Sequence, residues 1–124
     1  MIFLHIFVDF HLQGILASMK QKDWWYQQDG MSRKYRNDYK AALIAHAFEW
    51  SFCIMLPMFF RLCIEHTGGE IFFYIVLLVV NTYFHAYVDN ATANKKQINL
   101  IIDQTLHLGQ IAVTWLWWLA AGGF

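Results

Sequence analysis

Charged residues, proline and cysteine are scarce in this chain, and each scarcity excludes a class of protein. Only 15% of its 124 residues are charged, against roughly 25% in an ordinary soluble domain. The formal net charge is zero, so composition provides no general attraction to nucleic acid. A single proline argues against a disordered or loop-rich chain. Cys53 and Cys63 lie too far apart along a straight helix for a disulfide.

Apolar and aromatic residues are abundant instead, at 58% and 19% of the chain. They predict helices that contact lipid and an all-α fold, with residues 1–124 forming one integral membrane domain. We expect three long transmembrane helices and a shorter N-terminal membrane-inserted helix, which either spans the bilayer or is re-entrant. Pro57 predicts a kink in the second segment. The predicted helices cover residues 2–19, 41–65, 71–90 and 99–122.

The basic residues predict an orientation. Eight of the nine Lys and Arg residues fall in the connections 20–40 and 90–99, and only Arg61 lies near the opposite turn. By the positive-inside rule, both connections are cytoplasmic, and the protein lies in the cell (inner) membrane as a multi-pass protein. The expected partners are the lipid bilayer and a lipid-like substrate, and not nucleic acid. The small size leaves an oligomer open.

Four segments each place a histidine one helical turn from a carboxylate. Residues three or four apart share a helix face, so both side chains of a pair can point at one spot. An ionisable side chain in hydrocarbon is costly unless it is paired or lines a polar cavity. The pairs are His5 with Asp9, His46 with Glu49, His85 with Asp89, and Asp103 with His107.

The pairs in the second, third and fourth segments fall at one depth. Counted from the predicted cytoplasmic ends, they lie within roughly ten residues, or about 15 Å at a rise of about 1.5 Å per residue. Asp9 and Gln13 join this level if the first segment ends near Met19. Imidazole and carboxylate are ligands for zinc, manganese or iron, and helix bundles build two-metal sites from them. The sequence therefore predicts a site for one or two divalent ions, zinc or manganese.

Residues of this site are assigned three kinds of role. The expected metal ligands are Asp9, His46, His85, Asp89, Asp103 and His107. Among them, Asp9, Asp103 and His107 are candidate catalytic residues that activate water. The candidates for orienting ligands or binding substrate are His5, Gln13, Lys20, Glu49 and Gln104. Of these, Lys20 is suited to neutralising a phosphate.

Structural interpretations stay open beside these roles. A polar side chain in a membrane helix often hydrogen-bonds a neighbouring helix, and for Glu49 this interpretation and ligation are equally open. Asn81, Thr82 and Gln104 are candidates for such ties. His11 points away from the stripe that contains Asp9, and His66 is interpreted as a solvated residue of the outer turn.

Taken in order, the motifs resemble a bacterial and phage membrane family, the domain of unknown function 3307. The resemblance covers nearly the whole chain through His5-x3-Asp9-Phe10-x2-Gln13 with Lys20 after it, His46, His85-x3-Asp89, and Asp103-Gln104-x2-His107. The run 34–39 resembles phage-related members. The family has a lysine soon after the second H-x3-D, whereas here Asn90 to Asn94 precede Lys95, and its pattern does not call for Glu49. The resemblance implies an integral membrane protein and assigns no activity.

Three classes of function follow. The leading hypothesis is a membrane-embedded metal-dependent hydrolase that acts on a lipid-linked or headgroup substrate near the cytoplasmic leaflet. The second is transport of divalent metal or protons, because chains of His and carboxylate residues relay ions through membranes. Against transport, the outer half of the last two segments offers few polar groups. The third is a structural or partner-binding phage or bacterial protein whose polar layer fixes the helix register.

Overall fold

The computed structural model describes residues 1–28, 35, 37–65 and 67–122. Over these residues the structure is all-helical, which confirms the all-α prediction. Its elements are α1 (Ile2–Phe7), a π-helical turn (Val8–Leu12), α2 (Leu16–Met19), α3 (Lys22–Gln28), α4 (Asp38–Ile54), α5 (Leu56–Ile64), α6 (Gly68–Ala93) and α7 (Leu100–Ala120). The interpretation of His66 as a solvated residue, and part of the basic connection (29–34 and 36), lie outside the described residues.

The first apolar segment is not the single helix predicted for 2–19. α1 continues into the π-helical turn, and the helix then stops at Gly14, whose φ of +47° is a conformation that glycine adopts at little cost. The chain restarts as α2, and α3 follows within the connection predicted to be a polar loop. The interruption matters because it places Lys20, just after α2, against the C-terminal half of α6.

The second apolar segment is bent, as the proline predicts. α4 ends at Ile54, the break lies at Met55, and Pro57 occupies the first turn of α5. Proline fits a first helical turn because the N–H that it lacks would have no partner there. The two helices are bent by 55° relative to each other.

α6 and α7 begin where local hydrogen bonds satisfy their first amides. At the start of α6, the Glu70 amide donates to Thr67 Oγ1 (3.2 Å) and the Thr67 amide donates to Glu70 Oε2 (2.6 Å), which is a capping box. At the start of α7, Asn99 Oδ1 accepts from the Ile102 amide (3.0 Å). α6 is therefore longer at both ends than the predicted helix 71–90.

Membrane crossing is supported for one helix by length and composition. α6 is long and apolar enough to span, and the bent pair α4 and α5 would be a second span if the two count as one. α1 and the π-helical turn make only a short apolar helix over 2–12. The expectation of three transmembrane helices is therefore not confirmed for the described residues.

Buried residues divide the bundle into two zones. An apolar zone surrounds the bend between α4 and α5, and Trp50, Ile54, Met58, Leu77 and Trp118 are among its members. Toward the start of α4 and the end of α6, the buried positions become histidine and aspartate. The helices thus bring ionisable side chains together at one end of the core.

Candidate metal centre

Five elements supply the polar end of the core. α1 and the π-helical turn carry His5 and Asp9, α4 carries His46, α6 carries His85 and Asp89, and α7 carries Asp103 and His107. Within each of the three pairs, the spacing of four residues turns both side chains toward the bundle axis. Apart from Glu49, the candidate residues from the sequence are joined here through hydrogen bonds or ion-pair contacts.

Three fully buried imidazoles form the centre of the cluster. His46, His85 and His107 are each 0% exposed. The Nε2 atoms of His46 and His85 lie 3.3 Å apart. Asp9 Oδ1 lies 3.5 Å from His46 Nε2 and 4.0 Å from His85 Nε2. The same ring nitrogen of each imidazole therefore faces the carboxylates.

Asp89 lies between the imidazoles and a lysine. Its Oδ1 is 3.2 Å from His107 Nε2 and 3.6 Å from His85 Nε2. Its Oδ2 is 2.7 Å from Lys20 Nζ and 3.5 Å from His46 Nε2. Each carboxylate oxygen thus faces a different set of nitrogen atoms.

The donor atoms fit a divalent cation. Two groups, Asp9 with His46 and His85, and His85 with Asp89 and His107, each offer three ligand atoms within 4.8 Å of one another. Around a tetrahedral ion with bonds of about 2 Å, ligand atoms are about 3.3 Å apart, close to the separations seen here. Both groups need His85 Nε2, which has one lone pair to give. They therefore describe alternative or merged positions for a single ion.

The outer ring nitrogens have no hydrogen-bond anchor in the part of the chain that the structure describes. Nδ1 of His46, of His85 and of His107 is buried and has no hydrogen-bond partner among the described residues. Metal-binding histidines normally donate this N–H to a carbonyl, a carboxylate or water. The ring orientation is set instead by stacking. His85 stacks on Trp50 and on His107, with ring centroids 4.1 Å apart in both cases.

Trp50 is a site residue that the sequence interpretation missed. Its indole N–H donates to His5 Nδ1 (2.9 Å). Because indole is only a donor, His5 Nδ1 must be the unprotonated acceptor. The 3.4 Å contact of that atom with Asp9 Oδ2 is therefore not a hydrogen bond donated by His5. The available signal was spacing, since Trp50 follows His46 by one turn on the same helix face.

Hydrogen bonds fix Asp103 more firmly than Asp9. Asp103 Oδ1 accepts from Thr92 Oγ1 (2.5 Å), and its Oδ2 accepts from Gln104 Nε2 (3.0 Å). Asp9 accepts longer hydrogen bonds of 3.5 Å from Gln13 Nε2 and from Gln104 Nε2. Asp103 belongs to neither ligand group and lies 3.6 Å from His107 Nε2. Asp103 is therefore placed to orient His107. Asp9 is held less firmly and is available to bind an ion or to accept a proton.

A polar cavity of about 220 Å³ adjoins the carboxylates. Asp9, Asp89, Asp103 and Lys20 line it together with Gln13, Thr92 and Gln104. Asn94 anchors the lysine segment to α6, because its Nδ2 donates to the Lys20 carbonyl (3.0 Å) and its Oδ1 accepts from the Lys22 amide (2.6 Å). The wall of the cavity therefore carries both negatively charged carboxylates and a lysine that is held in place.

Glu49 does not join the cluster. His46 contacts Asp9 and Asp89 on other elements, and no hydrogen bond or ion pair among the described residues connects Glu49 to it. Glu49 is partly exposed and lies on the side of α4 that also carries Cys53, one turn further on. His11 is exposed and contacts the ring of Phe7, away from the cluster, as the stripe predicts.

A second polar layer lies deeper in the bundle. Gln110 Nε2 donates to the Asn81 carbonyl (2.8 Å) and to Asn81 Oδ1 (2.7 Å), and Thr114 Oγ1 donates to the same Oδ1 (2.9 Å). Asn81 Nδ2 donates to the Leu77 carbonyl (2.9 Å). This neutral layer ties α6 to α7, in agreement with the interpretation of Asn81 as a tie between helices.

Comparison with known proteins gives no match to a family model, to a curated protein or to a solved structure.

Proposed function

We propose that this chain is a small integral membrane protein whose His and Asp cluster holds a divalent cation and hydrolyses a lipid-linked or headgroup substrate. The observation that carries the proposal is the convergence of three buried Nε2 atoms and two carboxylates beside a polar cavity. An ester, a phosphoester or an amide is the substrate class. We also propose that the chain is a member of the family called domain of unknown function 3307.

Charge supports the cation. With neutral imidazoles, the carboxylates of Asp9, Asp89 and Asp103 are offset only by the ammonium of Lys20, so the cluster carries two uncompensated negative charges. Unpaired charge in a membrane interior or a protein core is strongly unfavourable. One zinc or manganese ion matches this deficit, and both accept imidazole and carboxylate ligands.

Asp9 is the side chain best placed to act as general base. It faces the cluster through Oδ1 and lines the cavity, and its oxygens accept only long hydrogen bonds. Hydrolysis joins the oxygen of water to the carbonyl carbon or phosphorus and breaks the bond to the leaving oxygen or nitrogen. Asp9 would accept the proton of that water and return it to the leaving group. A bound divalent ion would acidify the water and polarise the oxygen under attack.

The other residues would position this reaction. Asp103, held by Thr92 and Gln104, orients His107, and His107 in turn contacts Asp89. Gln13 and Gln104 lie at the cavity wall, where their amides can bind polar substrate atoms. Roles in binding and orientation thus fall to side chains at the rim of the cluster.

Exposed apolar surface supports the membrane location. Only 28% of the apolar window of α6 is buried within the chain. Phe72, Val79 and Tyr83 on this helix are more than half exposed, and so are Ile101 and Leu116 on α7. Soluble monomers rarely expose contiguous apolar surface of this kind. We place the connections 20–40 and 90–99 on the cytoplasmic side, which puts the cavity near the inner headgroups.

The test is metal-dependent hydrolysis by protein reconstituted with bacterial phospholipids. Wild type loaded with zinc or manganese should release a water-soluble headgroup or free acid, and chelation should abolish the release. Asp9→Asn should lower the rate by about 100-fold or more, since a general base contributes roughly 10²–10⁴-fold. Glu49→Gln serves as the matched acid variant outside the cluster. Equal product from Asp9→Asn, Glu49→Gln and chelated protein would contradict the proposal.

Transport is a second candidate, and the layer around Asn81 favours it. Asn81, Gln110 and Thr114 extend buried polar groups along α6 and α7 beyond His85. Such a series is what an ion path needs. Manganese uptake into liposomes that contain a fluorescent chelator separates the candidates. A hydrolase leaves the flux at the rate of empty liposomes, whereas a transporter raises it and Asn81→Leu reduces it.

A further inference from the structure

Asp89 contacts two cationic or cation-binding positions, one through each oxygen. Oδ1 faces Nε2 of His85 and of His107, where the proposed ion binds, and Oδ2 lies 2.7 Å from Lys20 Nζ. A carboxylate that bridges the two ions of a dinuclear centre presents its oxygens in the same way, one to each cation. Lys20 therefore lies where a second ion would be expected.

We propose that the Lys20 ammonium takes the place of a second metal ion, so that the centre holds a single divalent cation. This inference rests on the proposed metal centre and specifies its stoichiometry. Helix-bundle sites built from carboxylates and histidines commonly hold two ions. Here a lysine on the segment after α2 supplies the second positive charge, 2.7 Å from Asp89 Oδ2.

The structure holds this lysine in place. Asn94 bonds both to the Lys20 carbonyl and to the Lys22 amide, which fixes the segment against α6. The Lys20 side chain is only 13% exposed. Its Nζ shares the cavity of about 220 Å³ with the carboxylates of Asp9 and Asp103. Removing the ammonium would leave room, oxygen ligands and an uncompensated negative charge for another cation.

The experiment measures bound manganese per chain in purified, detergent-solubilised protein. Wild type should retain one ion. Lys20→Met should retain two, a doubling, because a neutral side chain frees Asp89 Oδ2. Lys20→Arg keeps the charge and should retain one. Lys22→Met is the matched control in the same segment, since its Nζ lies over the ring of Tyr26 (5.5 Å), and it should also retain one.

Electron paramagnetic resonance of manganese-saturated wild type gives a second test that needs no variant. An isolated ion gives an uncoupled six-line spectrum, and a spin-coupled pair in wild type would overturn the inference. One ion in Lys20→Met that folds normally would overturn it while leaving the metal centre intact. No bound manganese in wild type would overturn the proposed centre, and with it this inference.

Discussion

The two polar layers of this bundle differ most in charge. Around Asn81, the Gln110 carboxamide and the Thr114 hydroxyl donate hydrogen bonds of 2.7–2.9 Å to it, and none of these groups carries a charge. Gln110 Oε1 is the one buried atom of this layer without a partner among the described residues. One turn further along α6, around His85, three imidazoles each keep an unpartnered Nδ1 among the described residues. There three carboxylates, those of Asp9, Asp89 and Asp103, face a single lysine side chain, Lys20.

This contrast separates a neutral layer from the layer that we propose binds the cation. Neutral amides and hydroxyls that pair with each other fix helix register at little electrostatic cost. A cluster with surplus carboxylates and convergent imidazole nitrogens is complete only when something else supplies positive charge. Variants in the two layers should therefore have different effects, one on ion binding and the other on stability.

The largest expected effect is loss of the ion from His85→Ala. His85 Nε2 belongs to both possible ligand groups, so its removal leaves neither with three ligands. We expect manganese affinity to fall by more than about 100-fold, beyond the roughly 10–100-fold typical of residues that only orient ligands. Elemental analysis after removal of free metal measures this. Full retention of the ion would show that the cluster is not the site.

Trp50→Phe should weaken ion binding without abolishing it. Phenylalanine preserves an aromatic ring beside His85 but loses the N–H donated to His5 Nδ1. Affinity should fall by about 10-fold, the low end for residues that orient ligands, because His5 belongs to neither ligand group. Competition with a fluorescent chelator provides the measurement. An unchanged affinity would reduce Trp50 to a packing residue.

Asn81→Leu should lower stability and leave ion binding intact. The change removes the acceptor shared by Gln110 and Thr114, and both are buried. We expect a loss of about 1–2 kcal/mol in the free energy of unfolding. Thermal unfolding in detergent and elemental analysis check the two halves of this prediction. If Asn81→Leu lost the ion but kept normal stability, the Asn81 layer would also be needed for ion binding, which would contradict this prediction.

Gly14→Ala should produce the smallest change, a destabilisation of about 1 kcal/mol. Gly14 has a φ of +47°, which strains any residue with a Cβ, and it ends the helix before Lys20. Gly109 is the matched control, since it is helical and a Cβ there would meet nothing within 4 Å. Gly109→Ala should be neutral or stabilising because alanine favours the helix. Similar destabilisation by both changes would remove the special role of Gly14.

The sequence predicted the helix faces of the site better than their partners. Spacing of four residues put both members of the pairs His5 and Asp9, His85 and Asp89, and Asp103 and His107 on one helix face, because helix geometry decides which residues share a face. A spacing of three residues paired His46 with Glu49, whereas His46 contacts Asp9 and Asp89 instead. Contacts between helices depend on helix rotation and packing, which spacing along one helix does not determine.

The sequence pattern also did not predict the path of the chain between the helices. Apolar spacing indicated one helix for 2–19, but the glycine inside it was a possible break that periodicity could not place. The contact between Lys20 and Asp89 depends on that break, and so does the wall of the cavity. Pro57 acts locally, through its missing N–H and fixed φ, so its bend was predictable.

The most direct test is the metal content of wild-type protein that has been loaded with manganese or zinc and then freed of unbound metal. The account predicts about one ion per chain and a melting temperature that falls when a strong chelator removes it, because a ligand bound only to the folded state stabilises it. Protein that retains no metal, and melts at the same temperature with and without chelator, would contradict the metal centre.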